Sequence, residues 1–263
     1  MKVQLQHNGR KISYNIAGSG KTIVLLHGFL ESQKIWEPFA AQLCKSFKVI
    51  TIDLPGHGDT EVFGETHSME FMAAMVKSIL DTQNIEKAIL VGHSMGGYVS
   101  FAFAKQFPER VHGLVIFHSH AAADTEEAKM NRSRTIQVVE DNRIGFIKNF
   151  IPDLFAPENT ESLKDQIELL KAQAEQTPKA GIIAALKGMK ERSDNTALLD
   201  EIKSPVLFII GKKDKRISIS QVMEQATAPT HCEVLLLDGV GHMGYLEAPR
   251  LTLTTIADFC RKI

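Results

Sequence analysis

The chain has 263 residues, of which 44% are hydrophobic and 23% are charged, and this composition predicts one large domain with room for an insertion. Its 30 basic and 31 acidic residues leave a net charge of −1, so no overall field favours binding to nucleic acid or to an anionic membrane. Any charged substrate must therefore be recognised locally.

The N-terminal residues and the cysteines bear on the cellular compartment. Residues 1–6 lack the apolar stretch of a secretory signal, and no window approaches the roughly 18 apolar residues of a membrane span. We therefore expect a cytoplasmic protein. Cys44, Cys232 and Cys260 are scattered, odd in number and without a C-x-x-C pair, so reduced cysteines are expected.

Apolar runs alternate with helical stretches along the chain, which predicts an α/β fold with about eight mostly parallel strands flanked by helices. The predicted strands cover residues 3–6, 11–16, 22–26, 47–52, 88–91, 113–117, 205–210 and 233–237. The first two form an expected hairpin through Asn8-Gly9. Helices are expected over residues 98–107, ending before Pro108, and over residues 249–263.

The stretch from residue 120 to 199 differs in composition, being richer in charge and dominated by helical patterns. An insertion after the sixth strand would lie over the carboxyl ends of the strands, where ligands bind in open α/β sheets. We therefore predict a core formed by residues 1–119 and 200–263 and a helical cap formed by residues 120–199. A surface elaboration without a role in substrate binding is the alternative.

The segment Gly92-His93-Ser94-Met95-Gly96 fits the pattern G-x-S-x-G between a buried-strand pattern and a helix pattern. A serine in such a sharp strand-to-helix turn is held in a strained backbone conformation with its Oγ pointing outward. The neighbouring glycines keep the crossing backbone from clashing. Ser94 is therefore the predicted nucleophile.

Several short motifs follow one another along the chain. They are His27-Gly28-Phe29, Asp53-Leu54-Pro55-Gly56-His57-Gly58, the Ser94 turn, Gly211-Lys212-Lys213-Asp214 and Gly241-His242. In this order they resemble the α/β-hydrolase superfamily, and its capped, esterase-like branch of serine hydrolases. The resemblance covers residues 3–118 and 203–262 and leaves only the cap without a motif. It implies an α/β-hydrolase fold, and it implies that residues 53–58 shape a loop beside the site.

Attack by a serine needs a base to take its proton and an acid to orient that base. His242 is the predicted base because it follows the last strand in a glycine-rich loop that could carry it back over the sheet. Asp214 follows the seventh strand, and the order Ser94, Asp214, His242 matches the order of the family. Asp238, which is nearer the end of its own strand, is the rival acid.

The resemblance also implies an oxyanion hole, a pair of fixed donors that stabilise negative charge on the former carbonyl oxygen. By that resemblance the donors are the backbone N–H groups of Phe29 and Met95. Met95 would open the helix after the nucleophile, and the positive end of a helix favours an oxyanion. The Phe29 side chain can form an apolar wall of the pocket at the same time.

Contacts with the substrate are less determined, and the candidates are Tyr98, His118 and His120. The last two form an H-x-H pair at the junction of the sixth strand and the cap, but without carboxylate support we expect no metal there. Arginines of the cap could hold a substrate carboxylate with their forked donors, or they could simply be solvated. These arginines are Arg132, Arg134 and Arg143.

The predicted function is hydrolysis of a small carboxylic ester or related acyl compound through an acyl-enzyme on Ser94, without a cofactor. A carboxylate nucleophile, which epoxide opening and halide displacement need, is replaced by serine here. Three alternatives remain open. They are a carbon–carbon hydrolase or lyase similar to the menaquinone-pathway synthase, which usually has arginine where this chain has Tyr98; a cofactor-free perhydrolase; and a non-catalytic ligand receptor. We expect a small-molecule substrate, and the sequence does not indicate an oligomeric state.

Overall fold

The chain folds around an eight-stranded sheet in a computed structural model that describes residues 2–7 and 9–263. The strands are β1 (Lys2–His7), β2 (Arg10–Ala17), β3 (Thr22–Leu26), β4 (Lys48–Ile52), β5 (Ala88–His93), β6 (Val111–Phe117), β7 (Val206–Gly211) and β8 (Cys232–Leu237). Their order across the sheet is β1-β2-β4-β3-β5-β6-β7-β8. The predicted eight-stranded α/β architecture is confirmed.

The sheet is antiparallel at one edge and parallel elsewhere. β1 pairs with β2 and β2 with β4 in antiparallel register, whereas the strands from β4 across to β8 pair in parallel. The expected opening hairpin is present, although Asn8 of its turn lies outside the described residues. β3, β5 and β7 are buried at each position, because helices cover both faces of a parallel sheet and leave its strands uniformly apolar.

Helices connect the strands and close the chain. They are α1 (Glu37–Leu43), α2 (Met69–Thr82), α3 (Met95–Gln106), α4 (Glu126–Phe150), α5 (Lys164–Ala174), α6 (Lys179–Lys190), α7 (Leu198–Glu201), α8 (Ile219–Gln225), α9 (Gly244–Glu247) and α10 (Pro249–Lys262). α3 begins at Met95, before the predicted residue 98, because the chain passes from β5 into the helix through Ser94 alone. Within the described residues, no helix is long and apolar enough to cross a membrane.

Four of these helices, α4 to α7, lie between β6 and β7, where the insertion was predicted. α4 is kinked at Asn142, whose φ of −148° and ψ of 74° are not helical. The segment reaches the loop after β8, since the backbone N–H of His242 donates to the carbonyl of Leu154 at 2.7 Å. We refer to residues 126–190 as the inserted helices. The division of the chain into a core and a cap at residues 120 and 199 stays a prediction.

Candidate active site

Ser94 occupies the turn between β5 and α3 in a backbone conformation that L-residues rarely adopt. Its φ is 50° and its ψ is −112°, in accordance with the strain expected of a serine in this turn. Close backbone approach explains two of the glycines: a Cβ on Gly92 would collide with the carbonyl of Gly96, and a Cβ on Gly96 with the carbonyl of Leu26. The turn therefore tolerates no larger residue at either position.

Ser94, His242 and Asp214, which are far apart in the sequence, form one hydrogen-bonded chain. The Oγ of Ser94 lies 2.9 Å from Nε2 of His242, and Nδ1 of His242 lies 2.8 Å from Oδ2 of Asp214. The other carboxylate oxygen of Asp214 accepts the backbone N–H groups of Arg216 at 2.8 Å and Ile217 at 3.0 Å. The carboxylate is thus fixed from the backbone side and orients the imidazole ring toward the serine.

His118 is a fourth member of this chain. Its Nδ1 lies 2.9 Å from the same oxygen of Asp214 that faces His242, and both side chains of this contact are fully buried. Burial lowers the pKa of His118 to about 4 against the opposing effect of Asp214, so the ring is neutral at pH 7 and donates from Nδ1. Burial alone would raise the pKa of Asp214, but the charge of His242 and the bonds from His118 and His242 hold that pKa far below its ordinary range.

His118, Asp214 and His242 form a group whose geometry would suit a metal ion. Their ligand atoms lie within 4.8 Å of one another. In the described structure, however, Nδ1 of His118 and Nδ1 of His242 already hydrogen-bond to Oδ2 of Asp214. A metal would have to replace the hydrogen bonds that orient His242, so the arrangement fits proton transfer better than metal binding.

A buried carboxylate, Glu31, lies beneath the site. Its Oε2 is 3.0 Å from Nδ1 of His93 and accepts the backbone N–H of Gly28 at 2.5 Å, and its Oε1 accepts the hydroxyl of Tyr245 at 3.0 Å. The other ring nitrogen of His93 lies 2.9 Å from the carbonyl oxygen of His242. Glu31 therefore connects the loop after β3, the nucleophile turn and the His242 loop.

The contacts of His93 determine its protonation. Both ring nitrogens face acceptor oxygens, so the Glu31–His93 pair must hold one proton between its two groups and carry no net charge. Burial alone would lower the pKa of His93 and raise that of Glu31, but their mutual charge reverses both shifts. The result is an ion pair whose side chains are 1% and 2% exposed.

The two predicted oxyanion donors come from different parts of the chain. Met95 is the first residue of α3, and the N–H groups of the first helical turn have no partner within the helix. Phe29 follows Gly28 in the loop after β3, and its side chain lines the cavity that contains Ser94 and His242. The assignment of these two amides as oxyanion donors stays a prediction.

A cavity of about 340 Å³ lies between this constellation and the inserted helices, at the small end of the usual range for ligand sites. Of the three substrate candidates, Tyr98 lines the cavity. His118 is turned to Asp214 instead, and the His120 ring packs edge-on to Tyr98 with 5.5 Å between ring centroids. Of the three candidates, Tyr98 is thus the one placed to meet a molecule in the cavity.

The three cap arginines have different environments. Arg132 lines the cavity, whereas Arg134 is exposed and bonds to Asn131 at 3.1 Å. Arg143 donates to the backbone carbonyls of Glu175 and Thr177 at 2.7 and 2.9 Å. Only Arg132 is therefore placed to meet a molecule in the cavity.

Two further observations extend what the sequence suggested. The rival acid Asp238 has a side chain that is 86% exposed and pairs with Lys212 at 2.7 Å, so its carboxylate faces solvent. Several residues of the site were not expected from sequence: Glu31, Tyr245, Asp124, Arg192, Lys215 and Arg216. The signal for Glu31 was its place two residues after the His27-Gly28-Phe29 motif, but an acid in such a loop is ordinarily exposed.

Comparison with known proteins agrees with the geometry. Residues 21–249 match the model of the alpha/beta hydrolase fold family. The chain therefore belongs to the α/β-hydrolase fold family.

Individual relatives cover almost the whole chain. A 2-hydroxy-6-oxononadienedioate/2-hydroxy-6-oxononatrienedioate hydrolase of Paraburkholderia phymatum is 29% identical over 95% of this chain and 90% of its own length. The 3-oxoadipate enol-lactonase 1 of Acinetobacter baylyi is 25% identical over 97% and 95%. Among solved structures, a thermophilic esterase from Thermogutta terrifontis with malate bound is 30% identical, with a TM-score of 0.94 over 100% of this chain and 98% of that one. These three proteins are hydrolases of different kinds.

Proposed function

We propose that the protein is a serine hydrolase that cleaves a small carboxylic ester or related acyl compound. The observation that carries this proposal is the hydrogen-bonded chain from Ser94 through His242 to Asp214, with contacts of 2.9 and 2.8 Å. Nucleophile, base and orienting acid at such distances are the requirement for covalent acyl transfer. In this proposal Ser94 is the nucleophile, His242 the general base and Asp214 the acid that orients it.

The first half of the reaction forms an acyl-enzyme. Nε2 of His242 takes the proton of Ser94 as Oγ attacks the acyl carbon, and Asp214 stabilises the imidazolium that results. The N–H groups of Phe29 and Met95 donate hydrogen bonds to the former carbonyl oxygen and stabilise its negative charge. His242 then gives its proton to the leaving alcohol, and an ester links the acyl group to Ser94.

The second half repeats this sequence with water as the nucleophile and Ser94 as the leaving group. His242 takes a proton from water, the hydroxide attacks the acyl-enzyme, and the acid leaves as Ser94 regains its proton. No step needs a cofactor. We further propose that residues 120–199 act as a cap, because Phe146, Phe150 and Leu186 of this segment line the cavity and would limit the size of the acyl group.

Two of the relatives are named for ester chemistry. One is an enol-lactonase, and a lactone is a cyclic ester; the other is an esterase. The second of these is also 30% identical over the full length of this chain. Both names accord with acyl transfer to a serine and with a cavity for a small substrate.

The test measures hydrolysis of p-nitrophenyl esters from acetyl to decanoyl by the wild-type protein and by Ser94→Ala. We expect turnover that peaks at one chain length and falls about 10⁴-fold or more in the variant. The matched control is Ser100→Ala, since the Ser100 hydroxyl bonds within α3 to the carbonyl of Gly96 at 2.9 Å. An organophosphate should add its mass once to the wild type and to Ser100→Ala, and not to Ser94→Ala.

A second candidate is hydrolysis of a carbon–carbon bond with the same three residues. It is favoured by the relative whose named substrate is a hydroxy-oxo-dienedioate rather than an ester. A direct comparison would follow loss of the dienol absorbance of a 2-hydroxy-6-oxodienoate beside release of p-nitrophenol. If turnover of the dienoate is far above that of each ester, carbon–carbon hydrolysis, and not ester hydrolysis, is the main activity. If neither compound is turned over although one binds saturably, the fold serves as a receptor.

A further inference from the structure

The cavity above Ser94 is lined by positively charged side chains and by no negatively charged one among the described residues. Three cationic side chains line it, namely Arg132 of α4 and Lys215 and Arg216 of the loop after β7. Among the described residues that line it, none is an aspartate or glutamate, and the others are His242, apolar side chains or uncharged polar ones. A substrate that enters this cavity therefore meets these positive charges as well as the nucleophile.

Arg132 and Arg192 share the carboxylate of Asp124. Nε of Arg132 pairs with Asp124, and the same carboxylate accepts Nη1 of Arg192 at 2.5 Å. The guanidinium of Arg192 in turn lies 4.0 Å from the ring centroid of Tyr98. One carboxylate thus serves two guanidinium groups, and this cluster carries a net charge of +1.

The donors of Arg132 are not all satisfied by strong acceptors. Its Nη1 lies 3.5 Å from the thioether sulfur of Met189, which is a weak acceptor, and its side chain is 22% exposed. A carboxylate oxygen would be a far better partner, because hydrogen bonds between two charged groups are shorter and stronger. Asp124 fixes one edge of the guanidinium and leaves Nη1 available to a ligand.

A second pair of cations in the cavity lining repeats this arrangement. Lys215 lies 2.8 Å and Arg216 lies 2.6 Å from the two oxygens of Asp153, so one acid again faces two cations. The guanidinium of Arg216 lies 4.9 Å from the ring centroid of Phe150, another residue that lines the cavity. The two clusters together add a net charge of +2 beside the cavity.

We propose that the cavity is a site for an acyl substrate that carries a separate carboxylate group, with Arg132 as its principal ligand and Arg216 and Lys215 as further cations. The proposal rests on the proposed acyl hydrolysis, since the scissile group must lie at Ser94 while the carboxylate lies at Arg132. Monoesters of short dicarboxylic acids, and lactones of short dicarboxylic acids that carry a hydroxyl or enol group, have this chemistry. The volume of about 340 Å³ and the largely apolar remainder of the lining fit such a short chain.

The kinetic test compares two esters of the same shape, monomethyl succinate and methyl valerate, which differ by a carboxylate in place of an ethyl group. We expect the wild type to prefer the anionic ester, and Arg132→Gln to reduce the ratio of the two kcat/KM values about 10- to 100-fold. Arg132→Lys should fall between them, because lysine keeps the charge and loses the forked donors. The control is Arg134→Gln, an exposed arginine two residues away on α4, which should leave both values within twofold.

A binding test separates this proposal from the proposed chemistry. Calorimetry of Ser94→Ala with monomethyl succinate should give saturable binding that weakens as salt rises, and Ser94→Ala/Arg132→Gln should bind about 10-fold or more weakly. In the wild type, succinate should inhibit competitively and succinamide should not, which needs no variant to fold. Binding without turnover would overturn the hydrolase and keep the carboxylate site. Ester turnover with equal preference for both esters, and with Arg132→Gln equal to Arg134→Gln, would overturn the carboxylate site alone.

Discussion

The two sides of the cavity are built on different physical terms. On the side of the sheet, the side chains of His242 and Asp214 are 5% and 0% exposed and bond within the protein. What we call the helix side comprises Arg132 of α4 together with Lys215 and Arg216, which pair with Asp153 of the inserted segment. These three side chains are 22%, 51% and 39% exposed and share too few carboxylates. Groups that perform a reaction must be held in one geometry, whereas groups that recognise a substrate must keep donors free for it.

This difference assigns separate consequences to substitutions on the two sides. Changes on the sheet side should remove the reaction or destabilise the fold, because they leave buried groups unpaired. Changes on the helix side should alter the choice of substrate, because surface ion pairs contribute little to stability. The following predictions test whether the two sides are as separate as the structure indicates.

The largest effect is expected from Asp214→Asn. The asparagine amide cannot hold His242 with Nδ1 as donor and Nε2 as acceptor, and in a serine protease triad the same change lowers kcat about 10⁴-fold. We expect a loss of kcat of similar order on the preferred ester, with the folded state retained by circular dichroism. Asp238→Asn is the matched control, and it should keep full activity because that carboxylate faces solvent. The opposite result would make Asp238 the acid.

The next effect is on stability and concerns Glu31→Gln. Glutamine keeps the shape of the side chain but removes the charge that balances His93, and breaking a buried pair by removing one partner costs about 3 kcal/mol or more. Tyr245→Phe removes only the bond to Oε1 of Glu31 and should cost about 1 kcal/mol. Urea unfolding measures both values. Equal and small losses would show that Glu31 is protonated and uncharged in the folded protein.

Sequence patterns predicted the elements and indicated the residues of the proposed reaction because those signals are local. Uniformly apolar runs mark buried parallel strands, and the glycines around Ser94 report a close approach that no other residue permits. The order of the motifs along the chain supplied Asp214 and His242. Each motif needed only a few neighbouring residues, and only the order of the motifs depended on the whole chain.

The supporting network escaped prediction because its partners are distant in the sequence. Glu31 is 62 residues from His93 and 214 from Tyr245, and Asp124 is 68 from Arg192. His118 was expected near the substrate, yet it bonds to Asp214, 96 residues away. Whether a polar side chain is exposed or paired depends on the packing of separate elements, and a single sequence does not report such pairings.

A third prediction concerns the loss of stability at low pH, which we expect to come from buried histidines on the sheet side. Burial lowers the pKa of His27, His57 and His118 on the sheet side to about 4, 3 and 4 from 6.5. Because each folded-state pKa lies below the unfolded value, unfolding takes up protons below pH 6.5, and stability present above that pH is lost as pH falls. From pH 6 to 5 each histidine should lower the free energy of unfolding by about 1 kcal/mol.

Urea midpoints at pH 7.5, 6 and 5 measure this loss, and a substitution identifies its source. His57→Gln should reduce the slope of stability against pH, because it removes one buried ring whose Nδ1 donates to the carbonyl of Pro55 at 3.0 Å. His231→Gln changes an exposed histidine and should leave the slope unaltered. A slope that is the same in all three proteins would mean that His57 is protonated in the folded state.

The smallest effect on catalysis is expected from Arg143→Gln, which tests whether position or charge alone makes an arginine of the helix side select the substrate. Its Nη1 already donates to the carbonyls of Glu175 and Thr177, so the substitution should cost about 1–2 kcal/mol in unfolding free energy. The kcat/KM values for monomethyl succinate and methyl valerate should stay within twofold. If Arg143→Gln reduces the preference for the anionic ester as much as Arg132→Gln does, the inserted helices attract the carboxylate through their summed charge, and the free Nη1 of Arg132 does not select it.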